Sequence, residues 1–473
     1  MRSRSFVSAA LGIALAATAA APAEAQRRAT PAKAAPAQGL RIDSQYYTLP
    51  NGLKVVLSRD AAVPTATVGI YYGIGFRIEP RNRTGFAHLF EHLMFQGSAN
   101  APKGVFDKII YNNGGVNNGS TRFDFTNYYE VVPSNALENV LWVEGDRMAR
   151  LDVSQTVLDN QRGVVTNEVK GAVLNQPYGG WPWLHMPQLA NENWHNAHNF
   201  YGDLGDLAAA TVGDARDFYK AYYKPNNAVL VVAGDIDYAR TRAWIDRYFG
   251  AIPRGTPVKL PDISEPRQTK EKFKRQPDPL IPRPAFGAAW HVPPRNSPEW
   301  YAMGLLDQIL GQGQDSRLFQ ELVRKRGLTS GVQAGINIGL GHMYNYRGPM
   351  LWTVSFIHDP GRSREELTGA IDAVIEDVRT KPVSTQELER ARTKIRSSLY
   401  NLADPATRFS LIDLLAVGAM WENDPKWVNG LEAGFNRVTP ELLLATAKEY
   451  LRPTNRSIMM LEPAPRADKG ATK

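Results

Sequence analysis

Apolar positions along this chain fall into two patterns. The segments "YYTLPNGLKVVLSR" (46–59) and "TATVGIYYGIGF" (65–76) are rich in β-branched and aromatic residues and are punctuated by Gly and Pro, which predicts strands. Residues 85–96 then carry apolar side chains at helical spacing. A glycine-rich turn, "NNGGVNNG" (112–119), and a strand, "STRFDFTNYYEVVP" (120–133), come next. Helical stretches over 134–175 and 206–223 lead into the strand "AVLVVAGD" (228–235). Strands and helices mix without strict alternation. That predicts an α+β layer structure, a mixed β-sheet covered by helices, in preference to a doubly wound parallel sheet.

One pattern recurs. "YYKPNNAVLVVAGD" at 222–235 returns as "YLRPTNRSIMMLEP" at 450–463, and each copy follows an amphipathic helical run and enters an apolar strand. Two homologous domains are therefore expected, at 41–255 and 285–465, with a short tail at 466–473. Residues 256–284 are dense in proline and charge and read as the linker between them.

The amino terminus differs from the rest. Two arginines in "MRSRS", the apolar run "FVSAALGIALAATAAA" and the small residues "AEA" before Gln26 form the pattern of a signal peptide, residues 1–25. Residues 26–40 read as a flexible Ala/Pro tether. These features predict a periplasmic or secreted protein with no membrane anchor once the signal is cleaved. The chain has no cysteine, so disulfides are excluded and any metal site must be built from histidine, carboxylate and water. The net charge of +8 falls to +4 when residues 1–40 are set aside, and no nucleic-acid footprint remains.

Candidate chemistry sits in "GFAHLFEHLMFQGS" (85–98). On a helix, His88, Glu91 and His92 share an arc near ~100° wide at ~100° per residue. The two imidazoles can then chelate one zinc ion while Glu91, on the same side, acts as general base toward water. Spacing alone leaves a second reading open, in which these are ordinary helix residues. A third ligand would separate the two. Among eight histidines, the pair in "HNAH" (His195, His198) has a loop-like setting and reads as surface structure, and Glu168, in a later helical run, is by itself unremarkable.

The HxxEH order of "HLFEH", with "NE" following at 167–168, resembles the pitrilysin family of inverzincin zinc metallopeptidases, which includes insulin-degrading enzyme and the mitochondrial processing peptidase. The resemblance extends through "LPNGLKVVL", "GGVNNGSTRFDFTNYYE", "YYKPNNAVLVVAGDID" and "DSRLFQEL", and covers residues 45 to 460 or so. It implies a processing-peptidase-like fold, one Zn2+ per chain held by His88, His92 and Glu168, and Glu91 as the base in peptide hydrolysis. It further implies that the strand from Asn118 to Tyr129 is an exposed edge on which a peptide or unfolded segment lies extended, with Asn118 and Thr121 among the substrate-binding residues.

Two departures from the family pattern stand out. An additional glutamate that supports the zinc site is replaced by Gln161, an amide without charge. In the second half, Val323 and Ser330 occupy the positions of a substrate-holding arginine and tyrosine. Short family members dimerise to close a chamber. A heterodimer with a homologous subunit that carries the Arg/Tyr pair is the expectation, with a homodimer as the alternative. A noncatalytic scaffold subunit and a zinc carrier are the competing functions.

Overall fold

The computed structural model describes residues 39–403 and 407–464. The expected signal peptide, all but the last two residues of the tether and the tail at 466–473 lie outside the described residues.

The first sheet contains β1 (Gln45–Thr48), β2 (Lys54–Arg59), β3 (Thr65–Tyr72), β4 (Val116–Thr121), β5 (Thr126–Pro133) and β6 (Ala228–Gly234), in the order β1-β2-β6-β3-β5-β4. The second contains β7 (Lys272–Asp278), β8 (Ala285–His291), β9 (Gln333–Ile336), β10 (Leu351–Ile357) and β11 (Arg456–Pro463), in the order β7-β11-β8-β10-β9. Apart from β1, the two orders are the same. In each sheet the parallel pair is the equivalent one, β2 with β6 and β7 with β11, and the other pairs are antiparallel. The sequence repeat marks the same junction in both sheets. Asn227 and Asn455, equivalent positions in the two copies, each donate a side-chain N–H to the last carbonyl of the preceding helix, Tyr222 O at 2.9 Å and Tyr450 O at 2.7 Å.

Two elements depart from the sequence reading. Residues 272–278, assigned by composition to the linker 256–284, are the first strand of the second sheet. β2 has β1 outside it and is apolar, whereas β7 is an edge, and its Lys272, Lys274, Arg275 and Pro277 give it the polar character that discourages further pairing. The stretch from Asn118 to Tyr129 is likewise two strands rather than one. Only β4 is the edge; the chain reverses at 122–125 and β5 lies inside. The Arg122 N–H closes the reversal on Phe125 O at 2.8 Å, and Asp124 at its tip accepts Arg77 Nη1 at 3.0 and 3.1 Å and the Arg347 backbone N–H at 2.7 Å.

Each sheet buries one face under a helix of the other half. Helix Phe409–Val417, from the second half, packs on β3 and β6, and Ile412 occupies the space over Gly69. Helix His185–Ala190, from the first half, covers β8 and β11, where Met186 and Ala190 join Ala285, Ala289, Met459 and Leu461. One buried apolar core consequently runs through both halves, and the described residues form one compact unit. No helix among the described residues is long and apolar enough to cross a membrane.

Candidate metal centre

The helix that carries the histidines spans Phe86–Leu93. Phe86, Leu89, Phe90 and Leu93 are buried, which orients His88, Glu91 and His92. Gly85 enters the helix at φ 79°, and a Cβ there would lie 2.4 Å from Tyr201 O, so glycine is required. The helix has no side-chain cap of its own. Instead, the buried Glu79 carboxylate accepts the backbone N–H of Gly85 at 2.9 Å and of Ala87 at 2.5 Å. His198 Nε2 stands 3.7 Å from Glu79, and burial raises the Glu79 pKa. The "HNAH" segment is therefore internal at His198, whose side chain is 5% exposed, and His195 Nδ1 bonds Arg77 O at 2.8 Å. The surface reading of that segment fails because both rings are tied to the turn that precedes the histidine-bearing helix.

Glu168 lies near the end of helix Gln155–Val169, which packs against the first helix. Its Oε2 is 3.0 Å from His92 Nε2 and its Oε1 is 3.5 Å from His88 Nε2. One ligand atom from each of His88, His92 and Glu168 lies within 4.8 Å of the others. Hydrogen bonds from the two imidazoles, His88 first, hold the Glu168 carboxyl far below the usual carboxylate range. Two imidazole nitrogens and a carboxylate oxygen converging on one point form a three-residue donor set that fits zinc.

Glu91 is aimed by β4. Thr121 Oγ1 donates to Glu91 Oε2 at 2.8 Å, and Gly119 leaves room for the Glu91 stem, since a Cβ there would come within 3.1 Å of Glu91 Cγ. Thr121 is thus buried against the glutamate, with only its backbone at the strand edge. Asn118 turns its Oδ1 to the Gly119 N–H at 2.9 Å. Gln161 is buried two turns before Glu168, but its amide N–H bonds Asn160 at 2.8 Å and makes no hydrogen bond to the three donor residues. The supporting role read for Gln161 is not visible in its hydrogen bonding. His88 Nδ1 is buried without a hydrogen-bond partner among the described residues. In the second half, Val323 is half-buried on the irregular helical turn Phe319–Lys325 and Ser330 is exposed.

Sequence reasoning missed Tyr201. Its hydroxyl donates to Glu168 Oε1 at 3.4 Å and its ring meets His88 edge-on at 4.9 Å. Burial, with the Glu168 charge beside it, pushes its pKa up to about 12. Phe200 and Trp183 complete an aromatic wall around His88. The only hint in the sequence is the "FYG" triplet, whose Gly202 abuts Gly85.

Comparison with known proteins gives two family models in tandem. Residues 54–193 match the model described as Insulinase (Peptidase family M16), and residues 209–395 match Peptidase M16 inactive domain. The chain is 25% identical over 436 residues to the zinc protease PqqE of Helicobacter pylori, covering 90% of this chain and 94% of that protein. It is 22% identical to the mitochondrial-processing peptidase subunit beta of Saccharomyces cerevisiae, covering 76% of this chain and 78% of the relative. A solved protease structure from Helicobacter pylori superimposes with a TM-score of 0.81 at 24% identity, over 89% of this chain and all of that one.

Proposed function

The chain belongs to the insulinase family, peptidase family M16, and we propose that it is a zinc-dependent endopeptidase in which His88, His92 and Glu168 hold the metal and Glu91 is the general base. The observation that carries this reading is the convergence of the three donor atoms within 4.8 Å, with Glu91 held on the same helix face by Thr121. Zinc at such a set supplies Lewis acidity, which acidifies water and polarises a carbonyl.

The chain's own groups do the rest. The Thr121 hydroxyl engages Glu91 Oε2 and leaves Oε1 to take a proton from the attacking water and pass it to the leaving amine. Tyr201 orients Glu168. β4 offers a free edge on which a peptide pairs as an added strand, reading extension more than sequence. Asn118 occupies the Gly119 N–H on that strand and yields it when substrate pairs there. The protein is exported, as the amino-terminal pattern at 1–25 indicates, and takes peptides or unfolded segments outside the cytoplasm.

Glu91→Gln tests the reading. Turnover of a quenched fluorescent peptide is expected to fall by about 10²-fold or more while zinc content stays near one per chain. Full activity in the variant would remove Glu91 as the base, and a wild type that holds zinc but cleaves nothing would favour a scaffold or a zinc carrier. The partner is a homologous subunit that supplies the Arg/Tyr pair which Val323 and Ser330 do not. The yeast relative's name as a subunit supports partnering in general.

A further inference from the structure

The two faces of β4 look into different surroundings. Gly119 and Thr121 face the histidine-bearing helix, as does their neighbour Tyr128, whose hydroxyl bonds Phe90 O at 3.0 Å. Asn118 and Ser120 point the opposite way. Tyr129, paired with Asn118, lies against Phe409 of the second half at 4.0 Å. Backbone groups alternate as well: Arg122 N–H bonds Phe125 O across the hairpin at 2.8 Å, so residues 121, 119 and 117 turn their N–H and C=O to the free edge.

Off the second face opens a cavity of about 340 Å³ between the end of β4 and the second half, lined by Ser120, Arg122, His342, Asn345, Ser410 and Asp413 among others. Its single carboxylate is already engaged. Asp413 Oδ2 accepts Asn345 Nδ2 at 3.0 Å and lies 3.1 Å from His342 Nε2. His342 Nδ1 accepts the Tyr344 N–H at 3.2 Å, which places the ring proton on Nε2, the nitrogen nearer Asp413. Arg122 is different. It is half-buried, lines the cavity, and its guanidinium makes no hydrogen bond or ion pair among the described residues. A half-buried guanidinium with no protein partner keeps its fork of donors available to a carboxylate.

We propose that this cavity is a specificity subsite for an acidic side chain of the peptide, with Arg122 as the recognising group. The inference rests on the peptidase reading and adds a substrate class to it. A peptide paired to the free edge of β4 sends alternate side chains to opposite faces. Those beside Gly119 and Thr121 point toward Glu91. Those beside Ser120 and Arg122 point toward the cavity, where Asp or Glu meets Arg122.

The test uses the full chain and a peptide series carrying Glu, Gln or Lys at each position around the cleaved bond. The wild type is expected to prefer Glu over Gln by about tenfold in kcat/KM at one position, with Lys poorest. Arg122→Gln should abolish that preference, bringing kcat/KM for the Glu peptide down to that for the Gln peptide. Absence of a preferred position, or a preference that survives in Arg122→Gln, overturns the subsite. Failure of every peptide to be cleaved overturns the peptidase reading instead. Binding then decides the subsite: dye-labelled Glu and Gln peptides titrated onto Glu91→Gln should differ about tenfold in Kd, and equal values overturn it.

Discussion

Asp307 and Glu91 are both carboxylates beside hydrogen-bond donors, but their settings assign them opposite tasks. Glu91 keeps an oxygen on the open side of its helix, with Thr121 on the other oxygen. Asp307 is buried in the second half, where its Oδ1 accepts Trp352 Nε1 at 2.7 Å, and burial raises its pKa to about 6. The unfolded value is about 3.9, so the folded chain binds the extra proton between roughly pH 4 and 6. Stability conferred by that proton is complete below pH 4 and is lost as pH rises through 6, by on the order of 2–3 kcal/mol. Asp307→Asn should flatten this part of the pH profile, measured as urea unfolding of both proteins from pH 4 to 7. At this scale the sequence exposes residue type and spacing only. His88, Glu91 and His92 are legible because one helix relates them by a fixed angle. Tyr201 is not, and Thr121 is expected only through the resemblance and as a substrate contact rather than a partner of Glu91, because both reach the site from distant segments of the chain.

The histidine-bearing helix shows how an element is positioned by what lies outside it. Its amino terminus is held by Glu79, and its entry depends on Gly85 at φ 79° against the Tyr201 carbonyl. Gly85→Ala places a side chain in the left-handed region and 2.4 Å from that oxygen. A loss of about 1–3 kcal/mol in unfolding free energy is expected, together with faster zinc loss to a chelator, because the strain is relieved by shifting the helix that holds two of the three donors. β7 is the converse case. Its charged, proline-containing sequence reads as linker because an edge strand suppresses the apolar pattern by which strands are recognised. β4, with two asparagines and a glycine, reads as a turn for a related reason. Neither edge shows in the apolar pattern; that of β4 is expected only from the family resemblance, and that of β7 is visible only in its pairing.

Across the whole molecule, the two repeats are joined by reciprocal cover and a few buried polar ties. Arg77 is fully buried; it pairs with Asp124 at 3.0 Å and donates to Pro349 O of the second half at 2.7 Å. Arg408, equally buried, reaches back to Asp60 at 3.2 Å. Arg77→Ala leaves Asp124 without its partner and should cost about 3–5 kcal/mol, read as a lower urea midpoint for the whole unit. Assembly belongs to this scale too. Co-expression with a homologous subunit that carries an Arg/Tyr pair is expected to raise peptidase activity at least about tenfold over the isolated chain. A purified homodimer with equal activity would remove the need for that partner. The return of the 222–235 pattern at 450–463, the HxxEH helix and the absence of cysteine are properties of the sequence by itself. They determine two similar sheets and limit any metal site to histidine, carboxylate and water, since periodicity and side-chain type act locally. Glu168 and the edge at 118–129 follow from the sequence only through the family resemblance. Tertiary structure decided that Tyr201 and Thr121 flank the donor set, that β4 alone of that hairpin is the edge, and that Arg122 has no partner among the described residues. Those depend on distances between segments far apart in the chain, which only packing fixes.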